Sequence, residues 1–263
     1  MSSDETPQEP DLVTAWDYVA PAYADYWSPR FAPFVAEALA DFAPPPGPLA
    51  VPGAGPGDEA LLLAERFGDR EVWALEPAER MLQLLTAREL PKNLYARSAT
   101  AREVSQHVSG VGGLVSCFVL QLLPDRAGAL ADWRRASIPG AEARVLFWPR
   151  QLDGAWGQLG AAIEAATGEP RPAWETPLAA ELGALGWRLE RSQDVVHSIE
   201  HRDVEEAWRR LVDACSLQTL LRRAGPEALA RCEARWKANS GLEVTPTGVV
   251  HRPTARLWIL RAE

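Results

Sequence analysis

The 263-residue sequence has few lysines and lacks a long uninterrupted apolar run. Lysine occurs only at Lys92 and Lys237, and 27 basic residues stand against 36 acidic ones, so the formal net charge is −9. An acidic chain repels a phosphate backbone, which excludes nucleic-acid binding through bulk charge. The longest apolar run, near residues 114–123, is interrupted by Ser116 and Gln121 and falls short of the roughly 20 residues that span a bilayer. We therefore expect neither a nucleic-acid partner nor a membrane partner.

Cysteine is also scarce, with 3 residues at Cys117, Cys215 and Cys232. An odd number of widely spaced cysteines suits neither a disulfide framework nor a metal cluster, so we expect no metal site and a reducing, cytoplasmic location. Residues 1–10 are acidic and have neither a basic leader nor an apolar core, which predicts a disordered tail rather than a secretory signal. Hydrophobic residues make up 47% of the chain and charged residues 24%. These values are typical of a folded globular protein.

Strand and helix signals alternate through the first part of the chain. Aromatic and aliphatic residues at helical spacing over residues 11–42 predict a helical cap. Short apolar runs then predict five strands separated by helices, at residues 49–51, 71–76, 93–98, 114–119 and 144–148, the last after a turn at Pro139 and Gly140. This alternation indicates an α/β fold with a Rossmann-like, mostly parallel sheet covered by helices on both faces.

The alternation loosens after residue 148, and residues 149–180 are expected to form an insertion or lid. A helix ending near Gly186, a strand from Trp187 to about Ile199 and two helices within residues 203–239 follow. A last strand over residues 254–261 would close the sheet in antiparallel fashion. We interpret residues 11–263 as one domain, made of the cap, a core at 48–148, the insertion and a C-terminal part at 181–263, with two compact domains as the alternative.

A glycine-rich turn, Pro-Gly-Ala-Gly-Pro-Gly-Asp at residues 52–58, follows the first predicted strand and opens a helix. Backbone without side chains lets a nucleotide-like ligand approach a helix N-terminus at such a turn. Folds that hold a pyrophosphate place a third glycine where this sequence has Asp58, whose charge would face the phosphates. The turn therefore favours a cationic sulfonium ligand with an amino-acid tail; an ordinary loop between strand and helix is the alternative.

Glu76 ends the second predicted strand, about 20 residues after the glycine turn. A carboxylate at this position can accept hydrogen bonds from both ribose hydroxyls of an adenosine. It can also cap the helix predicted to begin at Pro77, because helix N-termini favour carboxylates. The two roles are compatible, and we take Glu76 as the strongest ligand candidate in the sequence.

Three motifs carry a resemblance to a known family. They are Val-Pro-Gly-Ala-Gly-Pro-Gly at 51–57, Ala-Leu-Glu-Pro at 74–77 with Met81, and Val-Leu-Gln-Leu-Leu-Pro-Asp-Arg at 119–126. With these motifs the chain resembles class I S-adenosylmethionine-dependent methyltransferases, in particular the small-molecule branch of ubiquinone- and menaquinone-biosynthesis-type enzymes. The resemblance covers about residues 23–148 well and the rest loosely. It implies a seven-stranded sheet, six strands parallel and one antiparallel, with S-adenosylmethionine at the carboxyl ends of the early strands.

The resemblance also implies which residues bind the cofactor. The turn would lie along the methionine part and Glu76 on the ribose. The residues expected to bind the cofactor are Tyr23, Gly53, Ala54, Gly55, Gly57, Glu76, Pro77, Met81, Ser98, Ala99, Val119 and Leu120. For Met81 a core position is the alternative, and for Tyr23 plain helix packing is the alternative.

Two positions depart from the family pattern. The family usually has an acid two positions before the first glycine, where this chain has Val51, and another near the adenine amino group, where it has Ser98. Losing a charge-assisted hydrogen bond weakens binding by roughly 1.5 to 3 kcal/mol. A degenerate fold that binds little or no cofactor, serving as a non-methylating enzyme or a binding protein, is therefore the main alternative. A nicotinamide-dependent oxidoreductase ranks third because Asp58 opposes it.

The acceptor side is less defined by the sequence. Methyl transfer is an in-line displacement at an activated carbon, so positioning supplies much of the catalysis and a general base is optional. We select His197 and His201 as catalytic candidates, because the strand after the insertion lies near the acceptor in the family; surface histidines are the alternative. Trp148, Trp156 and Trp174 flank the insertion and favour an apolar acceptor. We expect a monomer or homodimer that methylates O, N or C of a small, apolar molecule.

Overall fold

The computed structural model describes residues 9–150, 154–170 and 173–263. Within these ranges the strands form one sheet of 7 strands and one of 3 strands. The larger sheet contains β1 (Leu49–Pro52), β2 (Val72–Leu75), β3 (Leu94–Arg97), β4 (Val111–Cys117), β5 (Ser137–Phe147), β6 (Trp187–Val196) and β10 (Thr254–Ala262). The smaller sheet contains β7 (Ile199–His201), β8 (Glu243–Thr245) and β9 (Gly248–His251).

The larger sheet has the strand order β3-β2-β1-β4-β5-β10-β6. β10 is antiparallel to both of its neighbours, and the pairs among β1 to β5 are all parallel. Chain order reverses between β1 and β4, and open α/β sheets bind ligands in the crevice at such a point, outside the carboxyl ends of the strands. The predicted Rossmann-like, mostly parallel sheet is confirmed, including its antiparallel last strand.

Helices cover both faces of this sheet. The cap consists of α1 (Glu9–Ala22), a π-helical turn (Tyr23–Trp27) and α2 (Ser28–Leu39). The helices between the early strands are α3 (Asp58–Arg66), α4 (Glu79–Thr86), α5 (Val104–His107) and α6 (Arg126–Ala136), with a 3-10 turn at Leu120–Leu122. The later helices are α7 (Gly154–Thr167), α8 (Glu175–Glu181), α9 (Val204–Val212) and α10 (Cys215–Ala238), the last bending at Gly225.

The core lies on both faces of the sheet because side chains alternate along each strand. On β5, Leu146 belongs to the apolar cluster that includes cap and α9–α10 residues, whereas Val145 and Phe147 belong to the cluster that includes α6 and α8 residues. Trp236 and Trp133 are fully buried in these two clusters, respectively. No helix within the described ranges combines the length and apolarity needed to cross a membrane.

An arginine on β5 fixes the cap to the sheet. Arg144 is buried and pairs with the equally buried Glu142 on the same strand. Its guanidinium also donates to the Ala38 carbonyl at 3.2 Å and to Asp41 Oδ1 at 2.6 Å, at the end of α2. These bonds hold α2 against the strand beside the crevice, because a buried guanidinium has to satisfy its donors.

Three local predictions were wrong. The strand expected from Trp187 to Ile199 ends at Val196, and Ile199 starts β7 in the other sheet. Pro139 and Gly140 lie inside β5 rather than ahead of it, where the register with β4 shifts and Gly140 has a φ of 79°. Such an irregularity uses glycine to continue the strand. The small sheet itself was not expected, because its strands span only 3 or 4 residues and two of them contain charged residues.

The last wrong prediction concerns the chain start, since Glu9 and Pro10 belong to α1 rather than to a tail. The remainder of that predicted tail lies outside the described residues. Parts of the predicted insertion, residues 151–153 and 171–172, also lie outside them, and α7 and α8 account for most of its remaining length.

Candidate functional site

The glycine turn connects β1 to α3 at the crevice. Gly53, Gly55 and Gly57 all have positive φ, 74°, 54° and 95°, which glycine adopts without steric cost. The amides of Gly53 and Ala54 both donate to the Leu75 carbonyl, at 2.8 and 2.9 Å, and so fix the turn to the end of β2. A Cβ on Gly53 would lie 2.5 Å from a Val119 methyl group, whereas a Cβ on Gly55 would meet nothing within 4 Å. Gly55 therefore presents backbone to open space.

Glu76 follows β2 and its carboxylate faces this turn. One oxygen accepts from the Gly55 amide at 2.8 Å and the other from the Ala78 amide at 2.8 Å. The side chain is 6% exposed, and burial raises its pKa to about 7 despite the two amide bonds. Each carboxylate oxygen can accept a further hydrogen bond. The helix expected from Pro77 begins at Glu79 and has no side-chain cap, since Glu76 bonds to the Ala78 amide ahead of it. Glu76 keeps acceptor capacity for ligand hydroxyls.

A cavity of about 60 Å³ lies between the turn, the cap and the end of β4. We call its acidic side, formed by Gly53, Gly55, Asp58 and Glu59, the polar floor. We call its aromatic lining the aromatic roof; it is formed by Tyr23, Phe31 and Phe118, with Trp148 stacked on Phe118. No lysine, arginine or histidine among the described residues lines the cavity. The cavity therefore favours a ligand that is apolar or positively charged.

The acids of the polar floor differ in their partners. Asp58 accepts from the Ser28 hydroxyl and pairs with Arg88 at 2.6 Å. Glu59, in the first turn of α3, lines the cavity together with Cys117 at the end of β4. Burial raises the pKa of Glu59 to about 7. The pKa of the Cys117 thiol is raised well above its usual value by burial and by Glu59, so this cysteine is no activated nucleophile.

The aromatic roof contains a strained residue. Phe118 has a φ of 60°, the only positive value of a non-glycine residue within the described ranges. Its ring stacks on Trp148 with centroids 4.6 Å apart, and Phe31 lies 4.9 Å away on the cavity side. Such a conformation costs of order 1 to 3 kcal/mol and is often found at functional sites. Tyr23 completes the roof, and burial and the acids around it raise the pKa of its hydroxyl.

Aromatic rings continue from the roof to a buried histidine pair. Trp27 lies 5.6 Å from Phe31 and 6.0 Å from His201. His201 stacks on His251 at 5.5 Å, and its Nδ1 is 2.7 Å from the Tyr26 hydroxyl. Burial lowers the pKa of His201 to about 4 and that of His251 to about 3, so both are neutral at pH 7.

The two catalytic candidates are in different environments, and neither lines the cavity. His197 lies at the surface end of the roof, where its Nε2 is 2.9 Å from Glu37 and its ring packs against Phe34. His201 is buried two rings away from the cavity, behind Trp27 and Phe31. Their catalytic roles remain predictions.

The predicted cofactor residues divide into three groups. Four of them line the cavity: Tyr23, Gly53, Ala54 and Gly55. Four lie next to these residues. Glu76 bonds to the Gly55 amide and Pro77 follows it. A Cβ on Gly53 would meet Val119, and Gly57 is the N-cap residue of α3, where a Cβ would meet Leu85. The other four are apart from the cavity: Met81, Ala99 and Leu120 are buried in apolar clusters and Ser98 is exposed after β3. For Met81 the core position is what the structure shows.

Sequence reasoning did not select several residues of the cavity wall, among them Glu59, Cys117 and Phe118. An acid in the first turn of a helix reads as ordinary stabilisation of the helix N-terminus. A stronger signal was available, because Glu59 follows the glycine turn by one helical position and so returns to the same crevice. Cys117 ends the buried strand β4 and Phe118 follows it, and nothing in the sequence separates a wall residue from a core residue there.

Solved structures with a similar fold span nearly the whole chain. The [4+2]-cyclase SpnF superposes with a TM-score of 0.61 at 14% identity, covering 99% of each chain. The cyclopropane synthase MmaA2 from Mycobacterium tuberculosis has a TM-score of 0.59 at 13% identity, covering 98% of this chain and 100% of its own. A protein from Bacillus halodurans C-125, provisionally described as a methyltransferase, has a TM-score of 0.56 at 12% identity and covers 86% and 97%.

These similarities show that the chain has the class I methyltransferase fold. They confirm the resemblance seen in the sequence motifs at the level of fold. No family profile matches the sequence, and no curated protein matches it significantly.

Proposed function

We propose that this protein transfers a methyl group from S-adenosylmethionine to an oxygen, nitrogen or carbon atom of a small, mostly apolar molecule. The observation that carries the proposal is the hydrogen bond between the Gly55 amide and the Glu76 carboxylate, 2.8 Å long. It joins the glycine turn to the acid after β2 at the crevice of the sheet. The class I methyltransferase fold of the chain supports this proposal.

The residues at the crevice fit this cofactor. When bound, S-adenosylmethionine supplies a methyl group already activated by a positively charged sulfur. Gly55 leaves room for a ligand against its backbone, since a Cβ there would meet nothing within 4 Å. Glu76 offers acceptors for two ribose hydroxyls, and the polar floor and aromatic roof suit a cationic centre. A pyrophosphate would face Asp58 and Glu59, and among the described residues no basic side chain lines the cavity to receive it.

On the acceptor side, this chain supplies positioning and exclusion of water. Phe118 and Trp148 stack at the end of β4 and β5 and form a flat apolar wall. An apolar or aromatic acceptor packed on this wall would be held near the carboxyl ends of the strands without bulk water. His201 does not line the cavity. It would influence methyl transfer by positioning Tyr26 and Trp27, which contact it.

One observation favours the alternative of a degenerate fold. The cavity of about 60 Å³ is much smaller than the roughly 300 to 1,000 Å³ that small-molecule sites occupy. SpnF, which has a similar fold, is described as a [4+2]-cyclase, so this fold also serves other reactions. A non-methylating enzyme or binding protein is thus the second candidate.

Calorimetric titration separates the two candidates. Purified protein is titrated with S-adenosylmethionine, S-adenosylhomocysteine and NAD, alongside Glu76→Ala and Glu79→Ala variants. Glu79 lies in the first turn of α4, is exposed and accepts a hydrogen bond from Gln83, so Glu79→Ala removes the same charge without touching the glycine turn. We expect micromolar binding of both adenosyl ligands, a loss of at least about tenfold in Glu76→Ala, and no change in Glu79→Ala.

Folded protein that binds neither adenosyl ligand at millimolar concentration would overturn the proposal and favour the degenerate fold. If binding is found, S-adenosylhomocysteine production is measured with a panel of small phenols, amines and apolar acids. Turnover with one class of acceptor identifies the atom that is methylated.

A further inference from the structure

Arg126, the first residue of α6, is a partly buried arginine that no acid of the described residues pairs with. Its Nη2 donates to the Gln121 carbonyl at 2.9 Å, and its guanidinium carbon lies 4.7 Å from the centre of the Trp174 ring. Its Nε is buried and has no hydrogen-bond partner. The guanidinium therefore keeps donors that the protein itself does not use.

Two acids lie close to Arg126 but are engaged elsewhere. Asp125 pairs with Arg102 at 3.1 Å and also caps α6. Glu175 accepts from the Trp174 amide at 3.0 Å and from a second backbone amide. Burial lowers the pKa of Arg126, and the charge of Glu175 only opposes this effect. A buried donor without a partner is costly, so an anion that reached Arg126 would supply what the protein leaves out.

Two hydrogen bonds connect Arg126 to the wall of the cavity. Gln121 Nε2 donates to the Phe118 carbonyl at 2.7 Å, and the Gln121 carbonyl accepts from Arg126. Phe118 lines the cavity. Gln121 Oε1 is also buried without a hydrogen-bond partner. A donor on Arg126 and an acceptor on Gln121 are therefore both unused in the segment that follows β4.

The carboxyl ends of β4 and β5 separate an apolar side from a cationic side. Phe118 and Trp148 pack with the cluster that includes cap residues, whereas Trp174, under the Arg126 guanidinium, packs with the cluster that includes α6 residues. Arg126, Trp174 and Trp148 are all partly exposed. A ligand that lies across the ends of these two strands can therefore contact the apolar wall with one part and Arg126 with another.

A carboxylate is the group that fits the free donors of Arg126. A guanidinium stays charged at neutral pH and presents its N–H groups in a planar fork that matches two carboxylate oxygens. Stacking on Trp174 holds this fork in one plane, which reduces the entropy lost when an anion binds. Gln121 Oε1 would accept a hydrogen bond from a hydroxyl group on the same ligand.

We propose that the methyl acceptor is an apolar carboxylic acid and that Arg126 binds its carboxylate. The inference rests on the proposed function and names a substrate class for it. The apolar body of the acid would lie on Phe118 and Trp148, with the atom to be methylated directed toward the cavity. Arg126 is then a binding residue that orients the acceptor, because its charge holds the end of the molecule remote from the cofactor.

The test compares carboxylic acids with their primary amides, which keep the shape of the acid but lose its charge. Cinnamate and decanoate, each with its amide, are titrated by calorimetry in the presence of saturating S-adenosylhomocysteine. The proteins are wild type, Arg126→Gln, Arg126→Lys and Arg188→Gln. Arg188 is exposed on β6 and pairs with Glu190 at 3.0 Å, so Arg188→Gln removes the same charge at a distant place.

We expect wild-type protein to bind at least one acid about 10- to 100-fold more tightly than its amide. Arg126→Gln should lower this ratio to less than about twofold, and Arg126→Lys should keep part of it, because an ammonium group retains the charge but lacks the fork. Arg188→Gln should leave the ratio unchanged. The affinity for S-adenosylhomocysteine should stay within about twofold of wild type in all variants, which checks that they fold.

A purely structural role of Arg126, holding the Gln121 segment in place, would weaken the acid and the amide equally in Arg126→Gln and would overturn the inference. Wild-type protein that binds neither acid better than its amide would also overturn it, while the proposed function stands as long as S-adenosylhomocysteine binds. Wild-type protein that does not bind S-adenosylhomocysteine would overturn the proposed function and this inference with it.

Discussion

The polar floor and the aromatic roof face the same cavity but are built in different ways. The floor consists of backbone turns and carboxyl groups that lie close together in sequence, within residues 53–59, with Glu76 fixed to them by one amide bond. The roof brings together Tyr23, Phe31, Phe118 and Trp148 from three distant parts of the chain. The floor is therefore specified locally and the roof by long-range packing. The difference implies that substitutions of floor groups with open space in front of them change ligand affinity, whereas substitutions of groups packed against other side chains, as in the roof, change stability.

The largest effect is expected within the floor itself, from two alanine substitutions with opposite consequences. Gly53→Ala adds a methyl group 2.5 Å from Val119 at a φ of 74°, so strain and overpacking should lower the free energy of unfolding by about 3 kcal/mol. Gly55→Ala meets no protein atom within 4 Å and should cost only about 1 to 2 kcal/mol. Its methyl group would nevertheless enter the cavity and weaken S-adenosylhomocysteine binding at least tenfold.

Chemical denaturation and calorimetry measure the two quantities. Equal losses of stability in the two variants would contradict the different surroundings of the two glycines. Unchanged affinity in Gly55→Ala would show that the ligand does not approach this part of the floor.

The floor is also where the sequence was most informative. Local backbone geometry sets the roles of the glycines at residues 53, 55 and 57 and of Glu76. The pattern of apolar residues fixes the positions of the strands around them. The sheet and its last antiparallel strand could therefore be predicted. Glu59 escaped detection because an acid at a helix start has a common structural explanation.

The roof could not be predicted in the same way. An aromatic residue in the sequence does not reveal whether it lines a cavity or fills the core, because both environments are apolar. Trp148 and Trp156 were correctly located around the insertion, yet the ring contacts that join them to Phe118 and His251 depend on tertiary packing. The small sheet that carries His201 and His251 has strands too short to give a periodic signal.

A second prediction uses the pH dependence of stability, again in the floor. Burial raises the pKa of Glu76 to about 7, above its value near 4.5 in the unfolded chain. The folded state therefore binds more protons between these values, and the contribution of Glu76 to stability is complete below about pH 4.5 and is lost as the pH rises through about 7. Through Glu76, the free energy of unfolding of the wild-type protein should fall by about 2 kcal/mol between pH 5 and pH 8. Glu76→Gln should not show this fall.

The free energy of unfolding is measured against pH for wild-type protein and for Glu76→Gln, and the two curves are subtracted. The subtraction is needed because buried His201 and His251 change stability with pH in the opposite direction to Glu76. Their lowered pKa values make stability rise with pH up to about 6.5 in both proteins. Asp41→Asn is the matched control. Bonds to Arg191 and Arg144 lower the Asp41 pKa to about 2, so its contribution is constant above about pH 4. A flat difference curve for Glu76→Gln would show that Glu76 is ionised throughout.

The third prediction concerns the roof. Trp148→Leu removes the ring stacked 4.6 Å from Phe118 and 5.3 Å from Phe34. Because Trp148 packs behind the cavity wall and is only partly buried, we expect a loss of about 2 kcal/mol in unfolding free energy. S-adenosylhomocysteine affinity should stay within about twofold of wild type. A tenfold loss of affinity with unchanged stability would remove the proposed division between floor and roof.

The smallest expected effect separates the two histidines that sequence reasoning could not rank. His197→Gln removes a surface pair with Glu37, and such pairs contribute about 0 to 1 kcal/mol. His201→Gln removes the buried bond to the Tyr26 hydroxyl and the stacking on His251, which should cost about 1 to 2 kcal/mol. If His201 orders the cap over the acceptor, His201→Gln should lower the rate of methyl transfer and leave cofactor affinity unchanged. His197→Gln should change neither the rate nor the affinity. Equal rates in the two variants would leave His201 with a purely structural role, since neither imidazole lines the cavity and a general base is not required for transfer from a sulfonium.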